Sequence, residues 1–570
     1  MSKKATSKES RLPMSNIIPV GIDLGTTFCA VAHLDSTGHP TTIRNADGDL
    51  TTSSVVFLDR DDAIVGKQAV DAGLQEPERL VMYAKRDMGE KLIEHAPVGQ
   101  QFPPEVIQAI VLRKLKADAE LKLGPITKAV VTVPSYFNEP CRQATVDAAK
   151  LAGIDLIDII NEPTAAAITF GVEKGFLDAR GEVLSDEVIL VYDLGGGTFD
   201  VTLMKIDGTN FLAVASDGEV YLGGVDFDLR IAEFIAQEFE KEFSENPKDD
   251  DLSWHELLSK ANSAKHALSA RESTNIFISH NGHRFRTEFT REQFEEITSD
   301  LIDRTRITVE RVLTQSQLGW NDLTRILLVG GSSRMPAVEK MLKDRSGRDV
   351  DRSLSPDEAI AHGAALYAGF CLNSESTLHY GISVTNVSSH DLGVLGIEKN
   401  LDRQRRKIMI PRNSALPTER TKSFTTASDN QSSIKVEIIE GGDDSGNNST
   451  AIGRCVIRDL PPSLPANTPV DVTFRYGNNG RLVVEACLPK TGAQAVLSLN
   501  RAAGLAPEEL DEWQKRLDLG VGVDSISKHQ AHSTSDPIVK TTDPTAASNE
   551  ITTKKTSWKD RSKKLTGGTE

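Results

Sequence analysis

Two closely related turns constrain the fold of this chain more than any other feature. The segment 23–27 (DLGTT) follows the apolar run 17–22, and the segment 193–200 (DLGGGTFD) follows the apolar run 187–192. Each turn places a carboxylate at the end of a predicted strand, then glycines, then hydroxyl groups. Glycine lets backbone N–H groups approach an anion closely, and a carboxylate can hold Mg²⁺ through water. The pair therefore predicts a duplicated core that binds the phosphates of a nucleotide from both sides, and two ordinary hairpin turns are the alternative.

A third glycine turn, 328–334 (LVGGSSR), also follows an apolar run, and a predicted helix begins after it at Pro336. This position suits the ribose and adenine of a nucleotide. The sequence contains no GxxxxGK[ST], GxSxG or HExxH pattern. These absences exclude a P-loop enzyme and the commonest hydrolase and zinc-protease classes.

The composition describes a large globular protein. The 570 residues carry a formal net charge of −17, which argues against a general nucleic-acid binder because phosphate contacts need a basic face. The five cysteines are scattered and form no CxxC pair, which favours a reducing compartment without zinc sites or disulfides. No apolar run is long enough to span a membrane, and residues 1–15 lack the apolar core of a signal peptide.

The pattern of apolar residues changes along the chain. Up to about residue 371, β-branched runs alternate with helical periods such as Glu105–Leu123, which predicts an α/β fold. Short, regularly spaced strands then predict an all-β sandwich, followed by one helix, Pro507–Leu517. The predicted division is a disordered tail (1–15), an α/β domain (16–371), a linker (372–389), a β-sandwich (390–503), a short helix (504–519) and a disordered tail (520–570).

Six motifs identify a family resemblance: IDLGTT (22–27), VPSYF (133–137), NEPTAAA (161–167), VYDLGGGTFD (191–200), LVGGSSRMP (328–336) and SPDEAIAHGAA (355–365). Together they closely resemble the heat shock protein 70 chaperone family, and the segment 423–441 resembles its peptide-binding region. The resemblance covers about residues 16–517. It implies a two-lobed, actin-like ATPase domain, a β-sandwich that holds extended apolar peptides, and a helical lid.

The resemblance also implies roles for individual residues in the ATPase domain. The implied catalytic residues are Lys85, Glu162, Asp193, Thr198 and Asp200. The implied contacts to ATP are Asp23, Gly25, Thr26, Thr27, Gly195, Gly196, Gly197, Thr198, Lys265, Ser269, Gly330, Gly331, Ser332, Arg334 and Asp357. Asp23 and Asp193 are expected to orient hydrated Mg²⁺, with K⁺ as an additional candidate, and Pro134 and Glu162 to couple hydrolysis to the second domain. Taken alone, Lys85 would be interpreted as a solvated surface charge and Asp357 as a helix-start residue.

The implied partners are unfolded or extended polypeptides, a J-domain co-chaperone and a nucleotide-exchange factor, with no nucleic acid and no membrane. The candidate peptide pocket consists of Ile397, Phe424, Ala427, Ile434, Val436 and Ile438; the alternative for these residues is the sandwich core. We expect a monomer in the cytoplasm.

Four departures from the family pattern weaken parts of this picture. Asn262 and His266 replace larger residues on the adenine side, and the segment 88–103 is short. The segment 372–389 is polar and irregular instead of leucine-rich, and only one helix stands where the lid is expected. These changes predict weaker nucleotide binding, doubtful coupling and fast peptide exchange without a lid. The alternative functions are a nucleotide-gated scaffold or regulator and, less favoured, a small-molecule kinase on the actin-like core.

Overall fold

The chain folds into two α/β lobes, a β-sandwich and a final helix. The computed structural model describes residues 18–173, 186–372, 382–398, 403–458, 460–489, 494–496 and 504–522. The predicted tail at 1–15 and all but the first residues of the predicted tail at 520–570 lie outside this part of the chain. Within it, no helix is long and apolar enough to cross a membrane.

The first lobe is built on a mixed sheet. Its elements are β1 (Val20–Leu24), β2 (Phe28–Leu34), β3 (Pro40–Thr42), β4 (Thr52–Ser53), β5 (Val55–Leu58), β6 (Ala63–Val65), α1 (Lys67–Gly73), β7 (Leu80–Met82), α2 (Pro104–Leu123), β8 (Lys128–Val133), α3 (Glu139–Leu151) and β9 (Asp155–Asn161). The main sheet has the order β3-β2-β1-β8-β9, and β6-β5-β7 form a smaller sheet. Alternation along β1 directs Val20, Ile22 and Leu24 into one apolar core with α2 and α3.

The second lobe repeats this plan. After α4 (Glu162–Glu173) its elements are β10 (Asp186–Leu194), β11 (Phe199–Asp207), β12 (Asn210–Glu219), α5 (Gly224–Phe243), α6 (Asp251–Ala270), β13 (Ser273–His280), β14 (His283–Thr290), α7 (Arg291–Ile297), α8 (Ser299–Gln315), β15 (Arg325–Val329) and α9 (Pro336–Ser346). The chain then returns as α10 (Ala359–Leu372), which packs on the sheet of the first lobe. β10 pairs antiparallel with β11 and parallel with β15, just as β1 pairs with β2 and β8. The two phosphate turns therefore occupy equivalent positions in the two lobes.

Helices α4 and α10 pack closely between the two sheets. A Cβ atom on Gly363 of α10 would lie 1.9 Å from the carbonyl oxygen of Ala165 in α4, and one on Gly21 of β1 would lie 2.1 Å from the backbone nitrogen of Ala365. Only small residues permit this approach. The alanines and glycines of the motifs at 161–167 and 355–365 therefore serve the packing of the lobes.

The linker departs from the sequence-based prediction. The segment 372–389 was expected to be irregular, but Ser383–Thr385 forms β16, which pairs in parallel with β12 at the edge of the second lobe's sheet. The prediction is wrong for these three residues because pairing with an existing edge strand stabilises a strand that has no apolar pattern of its own. Residues 373–381 lie outside the described part of the chain.

The sandwich consists of β17 (Leu392–Glu398), β18 (Arg403–Ile410), β19 (Thr418–Thr425), β20 (Ile434–Gly441), β21 (Ser449–Ile457), β22 (Pro469–Tyr476), β23 (Leu482–Cys487) and β24 (Gln494–Val496). One sheet has the order β18-β17-β20-β21 and the other β19-β22-β23-β24. Alternating residues of both sheets form one apolar core between them.

The final helix, α11 (Pro507–Leu519), contacts the first lobe. Leu510, Leu517 and Val521 are buried in the same apolar cluster as α2 and α3. The guanidinium of Arg113 on α2 donates to the carbonyl of Leu517, 2.8 Å away. Val521 belongs to the predicted disordered tail, and that prediction is wrong for this residue because the first lobe (lobe I) buries its side chain.

Candidate nucleotide-binding site

The two phosphate turns meet in a cavity of about 260 Å³ between the lobes. A Cβ atom on Gly196 would lie 2.1 Å from the hydroxyl of Thr27, so glycine is required where the turns face each other. The predicted residues that line the cavity are Asp23, Gly25, Thr26, Thr27, Lys85, Glu162, Asp193, Gly195, Gly196, Thr198, Lys265, Ser269, Gly330, Gly331, Ser332, Arg334 and Asp357. Gly197 and Asp200 were predicted as well but lie behind the lining.

A buried ion pair lies at the centre of this cavity. Lys85, in a short 3₁₀ helix of the first lobe (Ala84–Asp87), places its ammonium 2.6 Å from the carboxylate of Glu162 at the start of α4. Burial opposes the charge of Lys85, but Glu162 and Asp23 outweigh burial and raise its pKa. The interpretation of Lys85 as a solvated surface charge is therefore wrong.

Three further carboxylates crowd around this pair. Burial, then repulsion from Glu162, raises the pKa of Asp23 and of Asp200 to about 7 each. The same causes raise the pKa of Asp193 well above its ordinary value, and its Oδ2 atom is buried without a hydrogen-bond partner in the described structure. One lysine does not balance four buried carboxylates. The donor set therefore fits a divalent cation, which Asp23 and Asp193 can hold through water.

The opposite side of the cavity is organised by Asp228 of α5. Its carboxylate accepts hydrogen bonds from Lys265 (2.9 Å) and from Asn262 (3.0 Å), both on α6. Lys265 also donates to the carbonyl of Gly224, 2.9 Å away. Asn262, which departs from the family pattern, is therefore a fixed part of the cavity wall. The sequence signal that could have identified Asp228 is its position shortly after the Gly223-Gly224 pair.

At the mouth of the cavity, Arg334 and Asp357 form a bidentate pair with distances of 3.0 and 2.8 Å. Both side chains are about half exposed. Asp357 precedes α10 by two residues, so its interpretation as a helix-start residue stays open.

Arg86 joins the lobes and was missed by the sequence analysis. Its guanidinium donates to the carbonyl of Gly197 from Nε (2.9 Å) and Nη2 (2.7 Å), and it pairs with Asp226 of α5. Asp226 in turn accepts from the backbone N–H of Gly223. The available signal was its position next to Lys85, since a second charge in a buried turn needs a partner.

Asp200 lies between the cavity and the sandwich. Its Oδ1 accepts from the hydroxyl of Ser135 (2.8 Å) and from the backbone N–H of Tyr136 (3.0 Å). The carbonyl of Ser135 accepts from the hydroxyl of Ser389, and the carbonyl of Tyr136 accepts from the ring of His390 at 2.9 Å. The segment that follows Pro134 therefore contacts the carboxylate on one side and the second domain on the other.

Two further contacts hold the sandwich against the two α/β lobes. Arg412 lies 2.7 Å from the fully buried carboxylate of Asp217 on β12. At the start of α3, the carboxylate of Glu440 accepts from the backbone N–H of Glu139 (2.9 Å), and Glu139 accepts from that of Leu482 (3.4 Å). Burial, then repulsion from Glu440, raises the pKa of Glu139 to about 8.

The candidate peptide residues divide into two groups. Ile397 is 69% exposed, Ala427 is exposed, and Phe424 is partly buried. Ile434, Val436 and Ile438 are buried in the sandwich core. Ile438 is fully buried because its position in β20 directs it between the sheets, which agrees with the sandwich-core alternative for this residue.

The comparison with protein families agrees with this geometry. The family model described as Hsp70 protein matches residues 19–96 and 90–567, which is nearly the whole chain. Members of that family are chaperones with ATPase activity that bind ATP with Mg²⁺. The two lobes around duplicated turns, followed by a β-sandwich, agree with the two-lobed, actin-like ATPase fold and β-sandwich predicted from the motifs. The chain therefore belongs to the Hsp70 protein family.

Proposed function

We propose that this protein is a slow ATPase whose nucleotide state controls how its β-sandwich holds extended apolar segments of unfolded proteins. The observation that carries the proposal is the buried Lys85–Glu162 pair beside Asp23 and Asp193, at the meeting point of both phosphate turns. A structural ion pair would not need two more carboxylates next to it. A site that binds a phosphate chain with its cation does.

The residues of the cavity suit phosphoryl transfer to water. When bound, Mg²⁺ neutralises phosphate charge, and Asp23 and Asp193 are the residues that would hold it. Lys85 offers a fixed positive charge for the transferred phosphoryl group, and Glu162 orients that charge. Asp200, held by Ser135 and Tyr136, is the candidate acceptor for the proton of the attacking water.

The contacts of Ser135 and Tyr136 support coupling between the domains. They link Asp200 to Ser389 and His390 within a few hydrogen bonds, and β16 extends the sheet of the second lobe. A change at the nucleotide can therefore alter the docking of the sandwich, although the linker lacks the leucine-rich pattern of the family. On sequence grounds, the proposal also includes two partners, a J-domain protein and a nucleotide-exchange factor, and it includes the absence of a helical lid. It further includes a monomeric state and a cytoplasmic location.

A second cavity of about 680 Å³ adjoins the first and bears on the kinase alternative. A kinase on this core needs a pocket between the lobes for a hydroxyl acceptor. Much of this cavity is lined by apolar residues, among them Phe28, Leu74, Leu92 and Tyr221, which suit a polar acceptor poorly. The chaperone is therefore favoured over the kinase, and the nucleotide-gated scaffold remains the second candidate because α11 is packed on lobe I.

Single-turnover hydrolysis of labelled ATP, with and without an extended apolar peptide, tests the proposal. We expect a slow basal rate that the peptide raises. Lys85→Ala should abolish hydrolysis while nucleotide binding persists. The matched control is Lys128→Ala, which removes a partly exposed lysine paired with Asp155. A hydrolysis rate that the peptide does not change would favour the nucleotide-gated scaffold. If the unaltered protein does not hydrolyse ATP, the proposed ATPase activity is refuted.

A further inference from the structure

The largely apolar cavity of about 680 Å³ beside the nucleotide cavity lies between the two lobes. The first lobe contributes residues of β5, α1 and β7 to its lining, and the second lobe contributes residues of α5 and α6. Four large side chains of the lining are between 38% and 53% exposed, namely Phe28, Leu74, Leu92 and Tyr221. Cavities of this size bind groups with a large apolar surface. The lining therefore suits an occupant with a large apolar side chain.

The charges on the lining are mostly negative. Glu90 of the first lobe is exposed and forms no ion pair with the described residues. From the second lobe, Asp228 has an Oδ1 atom that is buried without a hydrogen-bond partner among them. Burial, then the charges of Asp87 and Glu90, raises the pKa of Tyr221 to about 12. The one arginine of the lining, Arg86, is already paired with a carboxylate of α5. An occupant should therefore combine its apolar side chain with positive charge.

One segment of this chain has that composition. Residues 523–570 lie outside the described part of the chain, and Trp558 is the only Phe, Trp or Tyr among them. Residues 554–564 include six basic residues and one acidic residue, and Trp558 lies in their midst. The proposed ATPase and peptide-binding functions leave this basic segment without a role.

The described chain leads toward the cavity. A Cβ atom on Gly522 would lie 2.3 Å from the backbone of Asp61, so the chain after α11 packs directly on the turn between β5 and β6. Val55 of β5 lines the cavity and precedes Asp61 by six residues, which span at most about 20 Å. Val56 points to the opposite face of β5, where it belongs to the cluster that buries α11. The turn contacted by Gly522 thus lies at the border between the face that holds α11 and the face that lines the cavity.

The connecting length also suits this path. Thirty-five residues, 523–557, separate Gly522 from Trp558. A flexible chain of that length has a root-mean-square end-to-end distance of about 30 Å, which is enough to reach the cavity from Gly522. A tether of this kind gives an effective concentration on the order of a millimolar, so even weak binding would fill the cavity.

From these observations we infer that residues 554–564 dock in this cavity, with Trp558 between the lobes, and slow the release of nucleotide. The inference rests on the proposed nucleotide binding and adds a regulation of that site. Residues that line both cavities, among them Thr27, Phe28 and Asn262, come from both lobes. An occupant that contacts both lobes at this place opposes their separation, and a bound nucleotide leaves more slowly when the lobes stay together.

Photo-crosslinking of the full chain locates the segment. Trp558→benzoylphenylalanine places a photoreactive group at the tryptophan position, and an equal mixture with isotope-labelled protein distinguishes crosslinks within one chain from crosslinks between two. We expect crosslinks within one chain to residues 83–94 or 254–262. Ile538→benzoylphenylalanine, elsewhere in the same tail, is the control and should give far fewer of them. Crosslinks to other segments only would overturn the inference, and crosslinks between chains would overturn it in favour of a second copy as the source of the occupant.

The release of a fluorescent ATP analogue measures the effect on the nucleotide. Trp558→Ala and Glu90→Lys should each speed release by about tenfold, and the double variant should be no faster than either, because both changes remove the same docked state. The matched controls are Ile538→Ala in the tail and Asp344→Lys, which reverses an exposed carboxylate of α9. Unchanged release in Trp558→Ala overturns the inference. If the unaltered chain fails to bind the analogue, the proposed function is refuted together with the effect on release, and the crosslinks alone decide whether the segment docks.

Discussion

The nucleotide cavity and the interface between the lobes and the sandwich both bury carboxylates, but the carboxylates have different partners in the two places. In the cavity, Glu162 has an ammonium partner, whereas Asp193 keeps a buried oxygen without a hydrogen-bond donor among the described residues. At the interface, Glu139 and Glu440 accept from backbone N–H groups across the domain boundary, and Glu139 also keeps a buried Oε2 without a partner among the described residues. The cavity can admit a ligand and its crowded carboxylates fit a cation, whereas we expect a proton to stabilise the buried carboxylates of the interface, so the two should respond to different solution conditions.

The largest effect is expected from Asp193→Asn. Removal of one crowded charge should raise the melting temperature of the nucleotide-free protein, because repulsion among the buried carboxylates falls. The same change removes a candidate holder of Mg²⁺ and should slow hydrolysis by about a hundredfold or more. Thermal unfolding with and without Mg²⁺-ATP, together with single-turnover rates, measures both.

Asp349→Asn is the control for that variant, because Asp349 is an exposed carboxylate paired with Lys343. It should change neither quantity. A lower melting temperature for Asp193→Asn, or undiminished hydrolysis, would contradict the assignment of Asp193 to a cation site.

The interface has its own ion pair, and Arg412→Ala tests whether it couples the domains. The substitution leaves the carboxylate of Asp217 buried with Arg311 as its remaining cation. Loss of one partner of a buried pair costs roughly 3 kcal/mol. We expect peptide stimulation of hydrolysis to disappear while the basal rate persists, and small-angle scattering to report a more extended particle.

Arg475→Ala removes an exposed arginine of the sandwich that pairs with Glu419 and Glu485, so it serves as the control. If the peptide still stimulates hydrolysis in Arg412→Ala, the docking of the sandwich through Arg412 does not couple peptide binding to ATP hydrolysis.

The residues of the nucleotide cavity are easier to predict from the sequence than those of the domain interface, and the reason is physical. The turns at 23–27 and 193–200 are local, since glycine and carboxylate within a few residues already specify their geometry. Lys85 needed the family resemblance because its partner Glu162 is 77 residues away. Arg86 and Asp228 were missed because their partners Asp226 and Lys265 are 140 and 37 residues away.

The boundaries of helices and strands likewise depend on whether the signals for them are local in the sequence. The helix predicted at Glu105–Leu123 is observed at Pro104–Leu123, because proline at the start and glycine after the end are local signals. β16 has no such signal, since only the edge of β12 makes it a strand. The docking of α11 on lobe I was likewise invisible, although its start at Pro507 was predicted correctly.

A pH titration distinguishes the interface from the cavity. In the docked structure, burial and then repulsion from Glu440 raise the pKa of Glu139 from 4.5 to about 8. Undocking exposes Glu139 and should lower this pKa, so we expect the docked state to bind a proton that the undocked state releases. Docking is therefore most stable at low pH and weakens by up to about 1.4 kcal/mol per pH unit as the pH rises toward 8. Scattering at pH 6 and pH 8.5 should show more undocked protein at the higher pH.

Glu440→Gln removes the facing negative charge and keeps an oxygen that can accept from the N–H of Glu139. We expect the pH dependence to flatten in this variant. Equal compactness of the unaltered protein at both pH values would contradict the protonated pair.

The smallest functional effect is expected from Leu510→Ala on α11, and it decides what this helix is for. Leu510 is buried against lobe I, and Trp513 of the same helix packs against Phe102, with ring centroids 5.7 Å apart. Truncation should cost about 2 kcal/mol and increase hydrogen exchange locally in α2. Because α11 contacts lobe I, peptide dissociation and basal hydrolysis should change little. Leu519→Ala, at an exposed position of the same helix, is the control. Faster peptide release from Leu510→Ala would show that α11 acts as a lid. It would contradict the interpretation of α11 as a helix that is docked on the first lobe and does not cover the sandwich.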